Sequence, residues 1–324
     1  MEELKPEIVE KIKALQKKYA AMGQDLESYL DGLLYADYLT YWDYIHLDTL
    51  LSLQTPITSM PDEAIFIMYH QITELYFKLC LHEIDQIGQA KEPTGDWFLN
   101  RVKRINRYFE ALTKSFDIMV DGMERDQFLK FRMSLLPASG FQSGQYRMIE
   151  IGCTPFNRLV DQQHRDQYED FTKEDIPAMY SYIYWQAGAT ELSTGDKTLT
   201  LKQFEEKYNK QLLEMAEAYH NKNIWRVYKM LPPEEQKRDD IRIALRWLDT
   251  NVNVNWPLSH YKSAVRYLQK DPEDIAATGG TNWQKYLPPR FQKRIFYPKL
   301  WNDEEIQDWG KGWVKEVVFG VKGE

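Results

Sequence analysis

Cysteine is nearly absent: Cys80 and Cys153 are the two in 324 residues. That excludes a disulfide framework and every zinc or iron–sulfur site built from Cys-x-x-Cys pairs, and both thiols read as small buried hydrophobes. Positive charge is also in deficit, with 41 Lys and Arg against 49 Asp and Glu and a net charge of −8. A general attraction to nucleic-acid backbones or anionic membranes is therefore not expected, and the basic run "RVKRINR" (101–107) reads as a solvated helix face. No apolar run reaches the ~18 residues of a membrane span. The start, "MEELKPEIVEKIKALQKKY", is charged from its second residue and has no apolar centre, unlike a secretory leader, so a cytoplasmic location is expected. Nucleotide signatures are missing too: there is no GxGxxG, and "TGDKT" (194–198) lacks the rest of a phosphate loop. There is no HExxH, and Asp161-x-x-His164 stands alone where a di-iron bundle needs two facing pairs, so neither nucleotide nor non-haem metal is expected.

What the chain does have is aromatic surface: 10 Trp, 21 Tyr and 14 Phe, more than packing alone requires and suited to a flat ligand. Apolar residues recur at helical spacing near 5–21, 62–88, 97–118, 124–136, 173–188, 200–219, 233–250 and 302–318, with no hairpin signal, which predicts an all-α fold. Pro61 before Asp62 and Glu63, and Pro232-Pro233 before Glu234 and Glu235, mark helix starts with acids at the positive end of the dipole. The Gly/Ser/Pro clusters at 137–144 and 276–289 read as site loops on a rigid scaffold. The length fits one helical domain, 1–324, with 1–37 as an N-terminal helical arm.

Four local features are candidates for chemistry. In "FIMYHQITELYFKLCLHEID", His70 shares a helical face with Phe66, Thr73 and Phe77; it is either a core imidazole, which Glu74 one turn on can orient, or a ligand-facing one. His82 in the same stretch reads as structural. Arg132 follows Phe128 and Phe131 on a short apolar helix, where it needs either an internal acid or a bound anion. His260 lies just inside a helix that Pro257 can begin, and "ATGGT" (277–281) offers backbone amides and a hydroxyl.

"YWDYIHLDTLLSLQ", "FIMYHQITELYFKLCLHEID", "FRMSLLPASGFQSGQYRMIE", the Trp256/His260 pair and "TGGT" occur in this order across roughly residues 38–290. Together they resemble the tryptophan 2,3-dioxygenase family of haem enzymes. The resemblance implies haem b with His260 as its iron ligand, Trp256, Ser139 and Gly140 along the haem, and His70 as the distal residue that accepts the indole N–H. It implies Phe66 walling the indole, Arg132 on the substrate carboxylate and Thr278 at the amino-acid end. It further implies a lid of Tyr41, Tyr44 and Ile45 lent to a neighbouring subunit, hence a homotetramer acting on L-tryptophan and O2 to give N-formyl-L-kynurenine. The polar stretch "SGFQSGQYR" (139–147) would then be a loop over the distal haem face.

Four departures accompany the resemblance: Pro257 stands where the family has arginine, Ala277 where it has glycine and Tyr76 where it has tryptophan, and the interval from His260 to Thr278 is longer, extended near "QKDPED" (269–274). They leave open a same-fold haem monooxygenase that hydroxylates an indole or phenol amino acid, and a non-catalytic haem- or tryptophan-binding protein.

Overall fold

The computed structural model describes residues 4–36, 40–134, 143–187, 196–260, 262 and 293–310, and the chain divides into two compact units, 1–55 and 56–324. The first unit holds α1 (Pro6–Ala21), α2 (Leu26–Tyr35), α3 (Tyr41–Tyr44) and α4 (Leu47–Leu51). Asp25 starts α2 by accepting from the amides of Glu27 and Ser28 at 3.2 and 3.0 Å. Tyr19 of α1 stacks on Tyr29 of α2 with ring centroids 4.6 Å apart.

The second unit is built on α5 (Asp62–Gln89), against which α6 (Gly95–Ser115), α8 (Arg125–Ser134) and α9 (Gly144–Cys153) pack. Phe77, Cys80, Ile84 and Ile87 recur every three or four residues along α5 and are buried, as are Phe98, Val102, Ile105, Phe109 and Leu112 along α6. These two stripes form the centre of the apolar core. The close approach of α9 is made by its glycines: a Cβ at Gly152 would lie 2.5 Å from Ile84 Cγ2, and one at Gly144 would lie 2.6 Å from the Tyr208 ring on α12 (Leu199–Tyr219). Either glycine replaced by alanine forces helices apart. Between α6 and α8 lies α7 (Asp117–Asp121).

The described residues contain helices and no strand, with Val160 and Ile183 forming an isolated β-bridge, so the fold is all-α as the periodicity predicts. Several boundaries differ. The 173–188 segment is not one helix: a 3₁₀ turn (Lys173–Asp175) passes into α10 (Ile176–Tyr180), and α11 (Tyr184–Ala187) follows separately. The 233–250 segment splits into α14 (Pro233–Lys237) and α15 (Asp239–Thr250) where Arg238 leaves helical geometry to pair with Asp96, Glu235 and Asp240. α2 and α13 (Ile224–Met230) lie outside the helical segments the periodicity marked. The basic run 101–107 is not simply solvated: Arg101 and Arg104 reach the buried Glu83 of α5 at 3.1 and 3.2 Å, tying α6 to it.

α15 does not end at Thr250. It widens into a π-helical turn, Asn251–Asn255, and helix resumes through 256–260. Asparagine is a poor helix former because its amide competes for backbone groups, and here the amides pair with one another instead. Asn251 donates to Asn106 of α6, Asn255 donates to Asn251, and Asn253 donates to Asp249 at 2.8 Å. The Asp249 carboxylate also accepts from the amides of Phe296 and Tyr297 and from the Trp301 indole, fastening segment 293–301 to the end of α15.

Candidate functional site

α5 and the helix through 256–260 each present an imidazole held in the same way. His70 donates from Nδ1 to the Phe66 carbonyl at 2.7 Å, one turn back on its own helix. His260 bonds the backbone of Trp256, also one turn back. A neutral imidazole whose one nitrogen carries the bonded proton leaves the other as an acceptor or metal ligand. Both rings are held neutral: burial pushes the His70 pKa down against the opposing pull of the Phe66 carbonyl and Glu74. Burial first, and then the charge His70 would carry, lower His260 to about 4. The two histidines are therefore near enough to feel each other's charge.

An aromatic frame surrounds them. The His260 ring lies 4.7 Å from Phe116 and 4.8 Å from Trp256, measured between centroids, and Trp256 packs edge-on to Phe116 and Phe77. Tyr69 bridges the two sides, its ring 6.0 Å from His70 and 5.7 Å from Phe116. Phe66 lies 4.1 Å from His70 and meets Phe131 edge-on at 5.7 Å, with Phe128 at 6.5 Å. α8, which carries Phe128, Phe131 and Arg132, is fixed to the start of α5 by a reciprocal pair of contacts. The Asp62 carboxylate accepts the Glu124 amide at 2.6 Å, and Gln127 accepts the Asp62 amide at 3.1 Å.

Arg132 is half-buried, and burial is the sole influence on its pKa, which it lowers. No acid among the described residues forms an ion pair with its guanidinium. His164 and His82 stand elsewhere: the former stacks on Tyr182, and the latter is exposed on α5. Among the described residues no group of three His, Cys, Asp or Glu is arranged to hold a metal. No described helix is long and apolar enough to cross a membrane.

Tyr69 and Phe116 thus link the His70–Phe66 pair to the Trp256–His260 pair, and α8, on which Arg132 follows Phe131, packs against Phe66 through Phe128 and Phe131. Ser139, Gly140 and Thr278 lie outside the described residues. Tyr41 and Tyr44 are exposed on the short α3 of the first unit, with Ile45 directly after it. Two readings need correction. Pro257 does not begin the His260 helix; it sits inside it, directly after the π-helical turn. The stretch 139–147 is not all loop, because Ser143 caps the Tyr146 amide at 3.1 Å and α9 starts at Gly144. Sequence reasoning missed Tyr146 and Gln145 as members of the site's frame, although both stood in the quoted motif.

A family model described as tryptophan 2,3-dioxygenase matches residues 34–181. Among curated relatives, a tryptophan 2,3-dioxygenase of Bacillus thuringiensis subsp. konkukian is 31% identical over 276 residues, covering 82% of this chain and 91% of that protein. One from a Ruegeria species is 28% identical over 278 residues, with 82% and 92% covered, and one from Pseudomonas fluorescens is 28% identical over 280 residues, with 83% and 92% covered.

Proposed function

Because this chain belongs to the tryptophan 2,3-dioxygenase family, we propose that it is an oxidoreductase of tryptophan catabolism that inserts both atoms of O2 across the indole C2–C3 bond of L-tryptophan, giving N-formyl-L-kynurenine at the head of the kynurenine pathway. The observation that carries the reading is the pair of neutral, backbone-tethered imidazoles, His70 and His260, set in one aromatic frame.

The residues fit haem b. His260 offers an unprotonated nitrogen among Phe116, Trp256 and Phe77, surfaces suited to a flat macrocycle, and would hold the iron. Bound haem would supply the oxygen chemistry; the protein supplies orientation and exclusion of water. With its proton fixed on Nδ1 by the Phe66 carbonyl, His70 has Nε2 free to accept the indole N–H. Phe66 walls the ring and Arg132 pairs with the substrate carboxylate as a planar fork. Thr278 serves the amino-acid end, and Ser139, Gly140 and Trp256 line the haem. The chain is cytoplasmic and works as one 1–324 domain in a homotetramer, with 1–37 as an arm and Tyr41, Tyr44 and Ile45 closing a neighbour's site. In support, Met68, Ile72, Leu75 and Leu79 form an exposed apolar strip along the outer face of α5, of the kind a second copy covers.

Turnover under 18O2 with mass spectrometry of the product tests the reaction. Two labelled atoms in a formylkynurenine are expected. One label in a hydroxylated amino acid would move the assignment to monooxygenation, and binding without oxygen consumption would move it to a non-catalytic protein.

Two substitutions test the substrate contacts. Arg132→Leu is expected to lose about 2–5 kcal/mol in kcat/KM, the usual cost of removing one member of a buried charge pair. Turnover within threefold of the wild type would make Arg132 structural. For His70→Ala, the ratio of kcat/KM for tryptophan over 1-methyltryptophan is expected to fall by roughly tenfold or more, since acceptor and steric conflict leave together. An unchanged ratio would return His70 to the core.

A further inference from the structure

The first turn of α9 touches both sides of the site through adjacent residues. Gln145 donates from its amide to the Glu74 carbonyl at 2.9 Å and to the Glu74 carboxylate at 2.7 Å. Glu74 lies one turn beyond His70 on α5 and is the acid whose charge reaches that imidazole. Tyr146 donates its hydroxyl to the Val252 carbonyl, inside the π-helical turn, at 2.8 Å. Its ring packs on Phe77, which in turn meets Trp256.

The Val252 carbonyl is not an arbitrary acceptor. In the π-helical register each carbonyl takes the amide five residues on, as Asn251 does from Trp256. The next bond in that series would join Val252 to residue 257, which is proline and has no N–H. A buried carbonyl without a donor costs free energy, and Val252 is fully buried. The Tyr146 hydroxyl stands where the missing amide hydrogen would be. The hydroxyl carries a single proton, and it is directed at Val252.

We infer that Gln145 and Tyr146 are positioning residues that set the two imidazoles against each other, Gln145 through Glu74 on the His70 helix and Tyr146 by replacing the amide that Pro257 lacks on the His260 helix. The inference rests on the proposed haem reading for its consequence, but the contacts can be tested without it. Each acts through the helix it grips. α9 is thereby a spacer between the distal and proximal sides.

The test uses the full chain with Tyr146→Phe, which removes one hydroxyl, and Gln145→Met, which keeps the side-chain length. Tyr146→Phe is expected to weaken haem uptake by the apoprotein by roughly tenfold, as for one lost buried hydrogen bond, and to shift the iron–imidazole vibration of the ferrous protein, with KM for tryptophan little changed. Gln145→Met is expected to do the reverse, raising KM roughly tenfold while haem affinity and the vibration stay put. Adding Pro257→Ala to Tyr146→Phe restores a backbone donor and is expected to recover most of the haem affinity. Variants that move both readouts together, or a loss that Pro257→Ala does not rescue, would overturn the assignment. Should the wild type take up no haem, the haem reading fails by itself. Amide exchange in the apoprotein still decides the brace: faster exchange at 256–260 in Tyr146→Phe supports it, and unchanged exchange there refutes it.

Discussion

His260→Gly is expected to leave a folded, helical protein that takes up no haem until free imidazole is added. The ring is packed between Phe116 and Trp256, so its removal opens a space of imidazole size with aromatic walls, and small aromatic molecules occupy such cavities. Folding should survive: the lost ring costs a few kcal/mol, and the helix through 256–260 is anchored upstream by the asparagine pairs and Asp249. Haem titration followed at the Soret band measures the effect, with imidazole restoring a histidine-like spectrum. Full uptake without imidazole would remove His260 from the iron.

Glu150→Gln is expected to be the most destabilising conservative change in the second unit. Arg147 reaches the Glu150 carboxylate at 2.8 Å and Arg294 reaches its other oxygen, while the Tyr184 hydroxyl, held by both arginines, donates to it at 2.6 Å. Glu150, Arg147 and Arg294 are all buried, so two cations share one anion away from water. Neutralising the anion leaves like charges facing each other, at a cost of about 3–5 kcal/mol, a large part of the ~5–15 kcal/mol that holds a typical domain together. Arg294→Met should cost less, because the Arg147–Glu150 pair survives at one to one. Urea unfolding of the two variants measures the order; a milder Glu150→Gln would show that the cluster does not depend on its carboxylate.

The helices were legible where one face meets a core, as along α5 and α6, because burial imposes the 3.6-residue period on the apolar positions. His70 and His260 were legible only as members of ordered motifs, since each imidazole's tether is a carbonyl on its own helix and leaves no mark in residue type. The π-helical turn was not legible. "NVNVN" alternates polar and apolar residues, and its helical form is supported by side-chain amides pairing with Asp249 one turn back and with Asn106, a partner far along the chain. The same holds for Arg101 and Arg104, whose partner Glu83 makes a basic run into a tie rather than a free surface. Tyr146 stood in a motif that read as loop, and its role becomes visible only when the carbonyl facing it is traced to a proline.

The two cysteines give the molecule a built-in reporter. Cys80 on α5 and Cys153 at the end of α9 are both fully buried, and burial holds each thiol well above its usual pKa. The thiolate is the species that reacts with alkylating agents and oxidants, so in the closed protein neither sulfur is chemically available. Both sit at the seam where Gly152 lets α9 rest on α5, and a reagent reaches them when that seam parts. The rate at which iodoacetamide labels this chain therefore times the separation of the two helices, with no probe added.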